Sequence, residues 1–172
     1  KAKTLVSNRP GKDKRKILEV LDILASGKFG DDTYLAAGLQ LALNEAQRGH
    51  RAERLTRVLL LTDGFAADEQ KAQVVAGKIA TSGFTLSTVG LGLAFNEGFF
   101  IGLAELSGGN AHLVFRALEI SDVFAAELES TQRVVLRALD LRIALAAGVE
   151  LRRAHRVQPV ISELSLARLR DR

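Results

Sequence analysis

Two oxygen-bearing side chains, Thr33 and Asp63, with Asp32 beside the first, hold the clearest chemistry in this sequence. A neutral hydroxyl and one or two carboxylates, with room for water, are hard donors suited to Mg²⁺ or Mn²⁺. Asp63 closes the stretch Arg57-Val58-Leu59-Leu60-Leu61-Thr62-Asp63-Gly64. Its continuous apolar run suits a strand buried on both faces of a parallel sheet. Ligands gather at the carboxyl ends of such strands, and Gly64 permits a sharp turn there. Thr33 stands in Gly30-Asp31-Asp32-Thr33-Tyr34-Leu35, where an amphipathic helix begins. Each residue also has a plainer reading: Asp63-Gly64 as an ordinary turn, and Thr33 as a helix N-cap. Taken singly, both residues leave the two readings open.

The elements that must position these groups follow from hydrophobic periodicity. Lys3–Ser7 reads as a short strand and 8–14 as a polar turn. Ile17, Val20, Leu21 and Leu24 mark a helical face. From Thr33 a longer helix carries Leu35, Leu39, Ala42, Leu43 and Ala46 on its inner side. Strand 57–62 comes next, then a helix with Ala72, Val75, Ala76 and Ile79 inward, closed by Gly83. Phe84–Leu91 is a strand, Asn96–Leu106 a helix capped by Asn96 and Glu97, and His112–Phe115 a short strand. Ile120, Val123, Phe124 and Leu128 mark a last helix. The alternation predicts an α/β fold with a doubly wound, mostly parallel sheet flanked by helices, Rossmann-like in architecture. In such a sheet the loops of Thr33 and Asp63 share one edge.

The pattern changes after about residue 133. Leu139, Leu141 and Ile143 alternate with polar or small neighbours, Gly148 punctuates, and Val149 and Leu151 resume the alternation. An antiparallel hairpin is expected here, with a third strand within 160–166, opening a short β-rich segment. The expected organisation is therefore residues 1–132 as one part and 133–172 as another.

Composition bounds the function. Of the 172 residues, 47% are apolar, enough for a sizeable core. Cysteine is absent, which excludes disulfides and thiolate metal sites. His50, His112 and His155 lack metal-ligand spacing. No apolar run approaches the roughly 20 residues of a membrane span. The net charge of +4 gathers at the two ends, with Lys and Arg among residues 1–16 and again among 152–172. No aromatic side chain interleaves either cluster, which favours solvated ends or a weak acidic partner over specific nucleic-acid binding. Methionine is absent, and the sequence reads as a piece of a longer protein.

The order of the motifs resembles the von Willebrand factor type A domain. The residues that carry the resemblance are Asp32-Thr33-Tyr34-Leu35-Ala36-Ala37-Gly38-Leu39 and 57–64. After them come Val89-Gly90-Leu91-Gly92 with Phe95-Asn96-Glu97, and Leu103-Ala104 with Gly108-Gly109. It covers residues 1–132, and the tail is similar to the β-rich segment that follows this domain in bacterial, calcium-activated-channel-like members. The resemblance implies a metal-ion-dependent adhesion site, in which Thr33 and Asp63 match the family's threonine and aspartate ligands. Asp32 replaces the family's usual small residue and either adds charge to the site or points to solvent. The family's Asp-x-Ser-x-Ser motif is not in this chain; its place, with the first strand and helix, would precede Lys1. The implied function is a non-enzymatic protein-binding module whose Mg²⁺ or Mn²⁺ bridges to a partner carboxylate, incomplete in this chain and so holding metal weakly or not at all. Two other readings stand beside it. One is a metal-independent scaffold. The other is a phosphoryl-transfer enzyme using a strand-end aspartate, for which no lysine or arginine lies near Asp63, Thr33 or Gly92. Val89-Gly90-Leu91-Gly92 does not make a dinucleotide loop, because Phe95 stands where the third glycine is needed.

Overall fold

The apolar run at Val58–Leu61 forms strand β1 (Arg57–Thr62), with the bounds its sequence predicts. In the computed structural model, which describes residues 2–11, 14–25, 34–92, 96–132, 143–157 and 162–163, β1 pairs in parallel with β2 (Thr85–Leu91), and β2 with β3 (Ala111–Val114). The order is β1-β2-β3, with Leu61 opposite Val89 and Val89 opposite His112. Helix α1 (Lys14–Ala25) and helix α2 (Leu35–Gly49) precede the sheet; α3 (Glu69–Thr81) and α4 (Glu97–Glu105) supply the two crossovers, and α5 (Glu119–Gln132) follows β3. The result is the expected α/β arrangement, a parallel sheet flanked by helices.

Parallel strands are covered on both faces when helices return across the sheet. Central β2 obeys this, being buried from Leu86 to Gly90, whereas β1 and β3 are only partly covered. The core joins Leu35, Leu39 and Leu43 of α2 to Ala72, Val75, Ala76 and Ile79 of α3, with Leu86 of β2 and Phe100 and Leu103 of α4. These are the inward positions that 3.6-residue periodicity assigns to α2 and α3.

The turn from α4 into β3 is locked onto the sheet. Ser107 Oγ accepts from the N–H of Leu86 (2.7 Å), and the Gly109 N–H donates to Ala104 O (2.9 Å). Gly108 has φ 72°, and a Cβ on Gly109 would overlap the Leu86 carbonyl. The sequence Ser107-Gly108-Gly109 is thus a helix stop and a close approach to the central strand in one.

Several expectations are corrected. Residues 3–7 form no strand; they run as irregular chain, and Asn8 N–H is tied to Glu45 Oε2 of α2 (2.8 Å). In α1 the apolar face is not covered, since Ile17 and Leu21 are exposed. The expected face of α5 is also largely open, with Phe124 and Leu128 exposed and Glu127 buried. By contact, the chain forms two units, Lys1–Ser121 and Asp122–Arg172; the expected division after residue 132 stays an expectation. In the second unit, Val149–Leu151 form no strand; the turn at Gly148 is closed by Val149 N–H to Ala146 O (3.0 Å). A short antiparallel pair, β4 (His155–Arg156) with β5 (Ser162–Glu163), is present instead. Of the first arm of the expected hairpin, Leu139 and Leu141 lie outside the described residues, and Ile143 is in no strand.

Replacing Gly109 with alanine forces its methyl into the Leu86 carbonyl. Urea denaturation of Gly109→Ala is expected to show a loss of about 1–3 kcal/mol, the usual range for overpacking; an unchanged midpoint would contradict this close approach.

Candidate functional site

All three strands run in parallel, so their carboxyl ends share one edge. Asp63 follows β1 there, with an exposed side chain. Its turn is not made by a left-handed glycine, because Gly64 is not among the glycines of positive φ. Thr62, which is buried, holds the turn through its hydroxyl, 3.4 Å from Gly64 O and 3.5 Å from Gly64 N. Those separations are long, so the turn is lightly held. Among the described residues no hydrogen bond or ion pair engages the Asp63 carboxylate. Thr33 and Asp32 lie outside the described residues, so their pairing with Asp63 stays an expectation.

The described structure does fix the helix that Thr33 precedes. Asp68 Oδ1 accepts from the N–H of Leu35 (2.8 Å), and Oδ2 accepts from the N–H of Ala36 (3.1 Å). One carboxylate in the loop after β1 thus caps the first turn of α2 from 33 residues away. The N-cap position of α2 belongs to Tyr34, which makes no side-chain cap bond. Capping of Leu35 and Ala36 therefore comes from tertiary structure, and the loop of Asp63 is stapled to the start of α2. A carboxylate at a helix N-terminus also meets the positive end of the helix dipole.

The neighbouring residue extends the network. Glu69 Oε1 accepts from Asn96 Nδ2 (3.0 Å), and Asn96 Oδ1 accepts from Phe99 N–H (3.2 Å), capping α4 as the sequence predicts. Asp68 and Glu69 together join the N-termini of α2, α3 and α4 along one edge. Sequence reading missed both. Asp68 directly precedes α3, where an aspartate suggests an N-cap of α3, yet its side chain caps nothing in that helix. No local signal could name a partner 33 residues away.

The third loop of this edge, after β3, is also held by a carboxylate. Glu119 Oε1 meets Arg116 Nε at 2.6 Å, and Oε2 accepts from Phe115 N–H at 3.1 Å. The Arg116 guanidinium, then the Phe115 N–H, hold the Glu119 carboxyl below the usual glutamate range.

As a cation site, this edge offers a partial donor set. Asp63 suits a hard cation as an open carboxylate, but Asp68 is committed to backbone. Among the described residues no group of three or more His, Asp or Glu side chains could hold a metal ion.

Comparison with known proteins agrees with this architecture. Residues 1–126 match the von Willebrand factor type A domain family. Over 111 residues, 62% of this chain, the sequence is 32% identical to the uncharacterized protein YfbK of Escherichia coli K12, and it spans 19% of that protein's length. The structure of proximal thread matrix protein 1 from the mussel byssus superposes with a TM-score of 0.57 at 21% identity, over 73% of this chain and 33% of that one. A form of the same mussel protein with a zinc-occupied MIDAS motif gives 0.56 at 18% identity, over 73% and 31%. At these identities the likeness to the mussel protein is one of fold.

Two outcomes test the edge. Asp68→Ala removes both acceptors of Leu35 and Ala36, and should cost about 1.5–3 kcal/mol, the range for a charged hydrogen bond. Hydrogen exchange should then lose protection first at the start of α2, and unchanged exchange there would refute the staple. Glu119, depressed in the folded chain, contributes stability that is whole above its unfolded value of about 4.3 and is lost as pH falls through its lower folded value. Its NMR titration midpoint in the folded chain should fall below that of a peptide covering 113–121.

Proposed function

The chain belongs to the von Willebrand factor type A domain family, and from that premise we propose that it is part of a protein-binding module with a metal-ion-dependent adhesion site. The observation that carries this reading is the Asp63 carboxylate, exposed at the carboxyl end of β1 and without a partner among the described residues, while Asp68 beside it is spent on α2. Thr33, with Asp32 adjacent, is the second donor the family pattern assigns. When bound, Mg²⁺ or Mn²⁺ supplies an open coordination position for a partner carboxylate. Asp63 contributes a charged oxygen ligand, and Asp68 keeps the Asp63 loop registered on the helix that Thr33 precedes. Recognition of this kind needs no nucleophile and no general acid, which accords with a binding rather than an enzymatic role.

Mg²⁺ dehydrates reluctantly and prefers near-octahedral oxygen geometry. One carboxylate and one neutral hydroxyl compensate that dehydration poorly. The 172-residue chain should therefore bind Mg²⁺ more weakly than about 1 mM. A longer chain carrying Asp-x-Ser-x-Ser upstream should bind Mg²⁺ or Mn²⁺, and Asp63→Ala should abolish both metal and partner binding there. Calorimetric titration of the two chains decides this. Partner binding that survives chelation would favour a metal-independent scaffold, and tight metal binding unaffected by Asp63→Ala would reject Asp63 as a ligand.

A further inference from the structure

Aromatic side chains carry large apolar areas and stabilise a core when they are covered. Of the six described aromatic residues within Lys1–Ser121, Phe84 and Phe100 are buried and Phe99 packs against the core. The other three, Tyr34, Phe65 and Phe115, are 57%, 63% and 60% exposed. All three stand at the carboxyl edge of the sheet. Tyr34 directly precedes α2, Phe65 lies two residues beyond Asp63 in the loop after β1, and Phe115 follows β3. At the opposite edge Phe84, before β2, is covered, with its ring 5.2 Å from that of His50. Exposed aliphatic side chains show no such confinement, as Leu21 of α1 and Val74 of α3 illustrate.

The backbone beneath these rings is tethered. Asp68 binds the N–H groups of Leu35 and Ala36, so Tyr34, one residue earlier, is tied to the loop of Asp63 and Phe65. Glu119 accepts from the Phe115 N–H (3.1 Å), which ties the loop after β3 to the first residue of α5. Strands lie about 4.8 Å apart, so the ends of β1 and β3, with β2 between them, are separated by about 10 Å. One peptide segment can touch both. An aromatic ring on a held backbone has only two side-chain torsions to lose on contact. Single exposed apolar residues are ordinary on a surface. Three rings on one edge beside an open carboxylate have instead the composition of an interface centre, where aromatic residues are enriched. Phe65 is at most about 7 Å along the chain from Asp63. A partner that reaches Asp63 must therefore lay its neighbouring residues on Phe65.

We propose that Tyr34, Phe65 and Phe115 form an aromatic docking surface beside Asp63, which takes a protein segment carrying a large apolar side chain within one or two residues of a carboxylate. Only the demand for a carboxylate rests on the metal-ion reading of Asp63; the ring contacts need no metal. Three blocked peptides probe the 172-residue chain by NMR titration, in excess Mg²⁺ and again after chelation. They are acetyl-Gly-Phe-Asp-Phe-Gly-amide, the same peptide with alanine for both phenylalanines, and the same peptide with asparagine for aspartate. The first should bind at least about fivefold tighter than the alanine peptide, shifting the amide signals of Tyr34, Phe65 and Phe115. Phe65→Ala and Tyr34→Ala should each reduce that ratio at an unchanged urea midpoint, since both side chains are exposed. Phe65→Leu, which keeps apolar area, should retain part of it, and Phe124→Ala, an exposed ring of α5, should leave it unchanged. A preference for phenylalanine that persists with asparagine and after chelation would keep the docking surface and reject the metal bridge. Binding that needs aspartate and Mg²⁺ but ignores phenylalanine, or a preference untouched by Phe65→Ala and Tyr34→Ala, would overturn the docking surface and leave the metal bridge standing. No binding by any of the three peptides would overturn it as well.

Discussion

The carboxylate of Asp68 is the constraint on which the carboxyl edge of the sheet depends. A helix N-terminus leaves N–H groups without intrahelical acceptors, and α2 has no capping side chain at Tyr34. Two of those groups, on Leu35 and Ala36, find their acceptors in a loop beyond the next strand. This contact converts a local deficit of α2 into a tertiary bond. It fixes how the start of α2 meets the loop after β1, and that loop is the one that presents Asp63. Glu69 and Asn96 carry the same logic to α4, so the start of α3 is tied to the start of α4.

Asp63 and Asp68 illustrate how position assigns roles to one residue type. They are five residues apart and chemically identical. Asp68 faces two orphan N–H groups and is consumed by them; Asp63 faces solvent, with none of the described residues engaging its carboxylate. Its turn leans on the long contacts of Thr62 rather than on a left-handed glycine. A committed carboxylate beside an open one gives this edge a tethered loop and an accessible pair of oxygens.

Charge is distributed along the helix axes in the same sense. Acidic side chains, Asp68 and Glu69, stand at the starts of α2 and α3, and arginines gather where α2 ends. Both placements complement the helix dipole. Hydrophobic coverage is less even. β2 is buried from Leu86 to Gly90, but β1 stands at the edge of the sheet among the described residues, with Leu61 exposed, and α1 carries Ile17 and Leu21 in solvent. An uncovered apolar edge strand is an invitation to further pairing.

What the sequence determined by itself was whatever depends on neighbours close along the chain. Periodicity placed α2, α3 and the three strands in order, bounded β1 correctly, and named Ala72, Val75, Ala76 and Ile79 as the inner face of α3. Asn96 was legible as a cap because its acceptor and donor lie three residues apart. Asp63 was legible as a strand-end carboxylate because the apolar run ahead of it suits a strand. Tertiary structure alone decided the rest. Residues 3–7 and Val149–Leu151 have strand-like patterns but no ladder, because a strand exists only where a distant partner completes its hydrogen bonds. Asp68 passed unread in the sequence, because only the folded chain brings its carboxylate against the N–H groups of α2, 33 residues away.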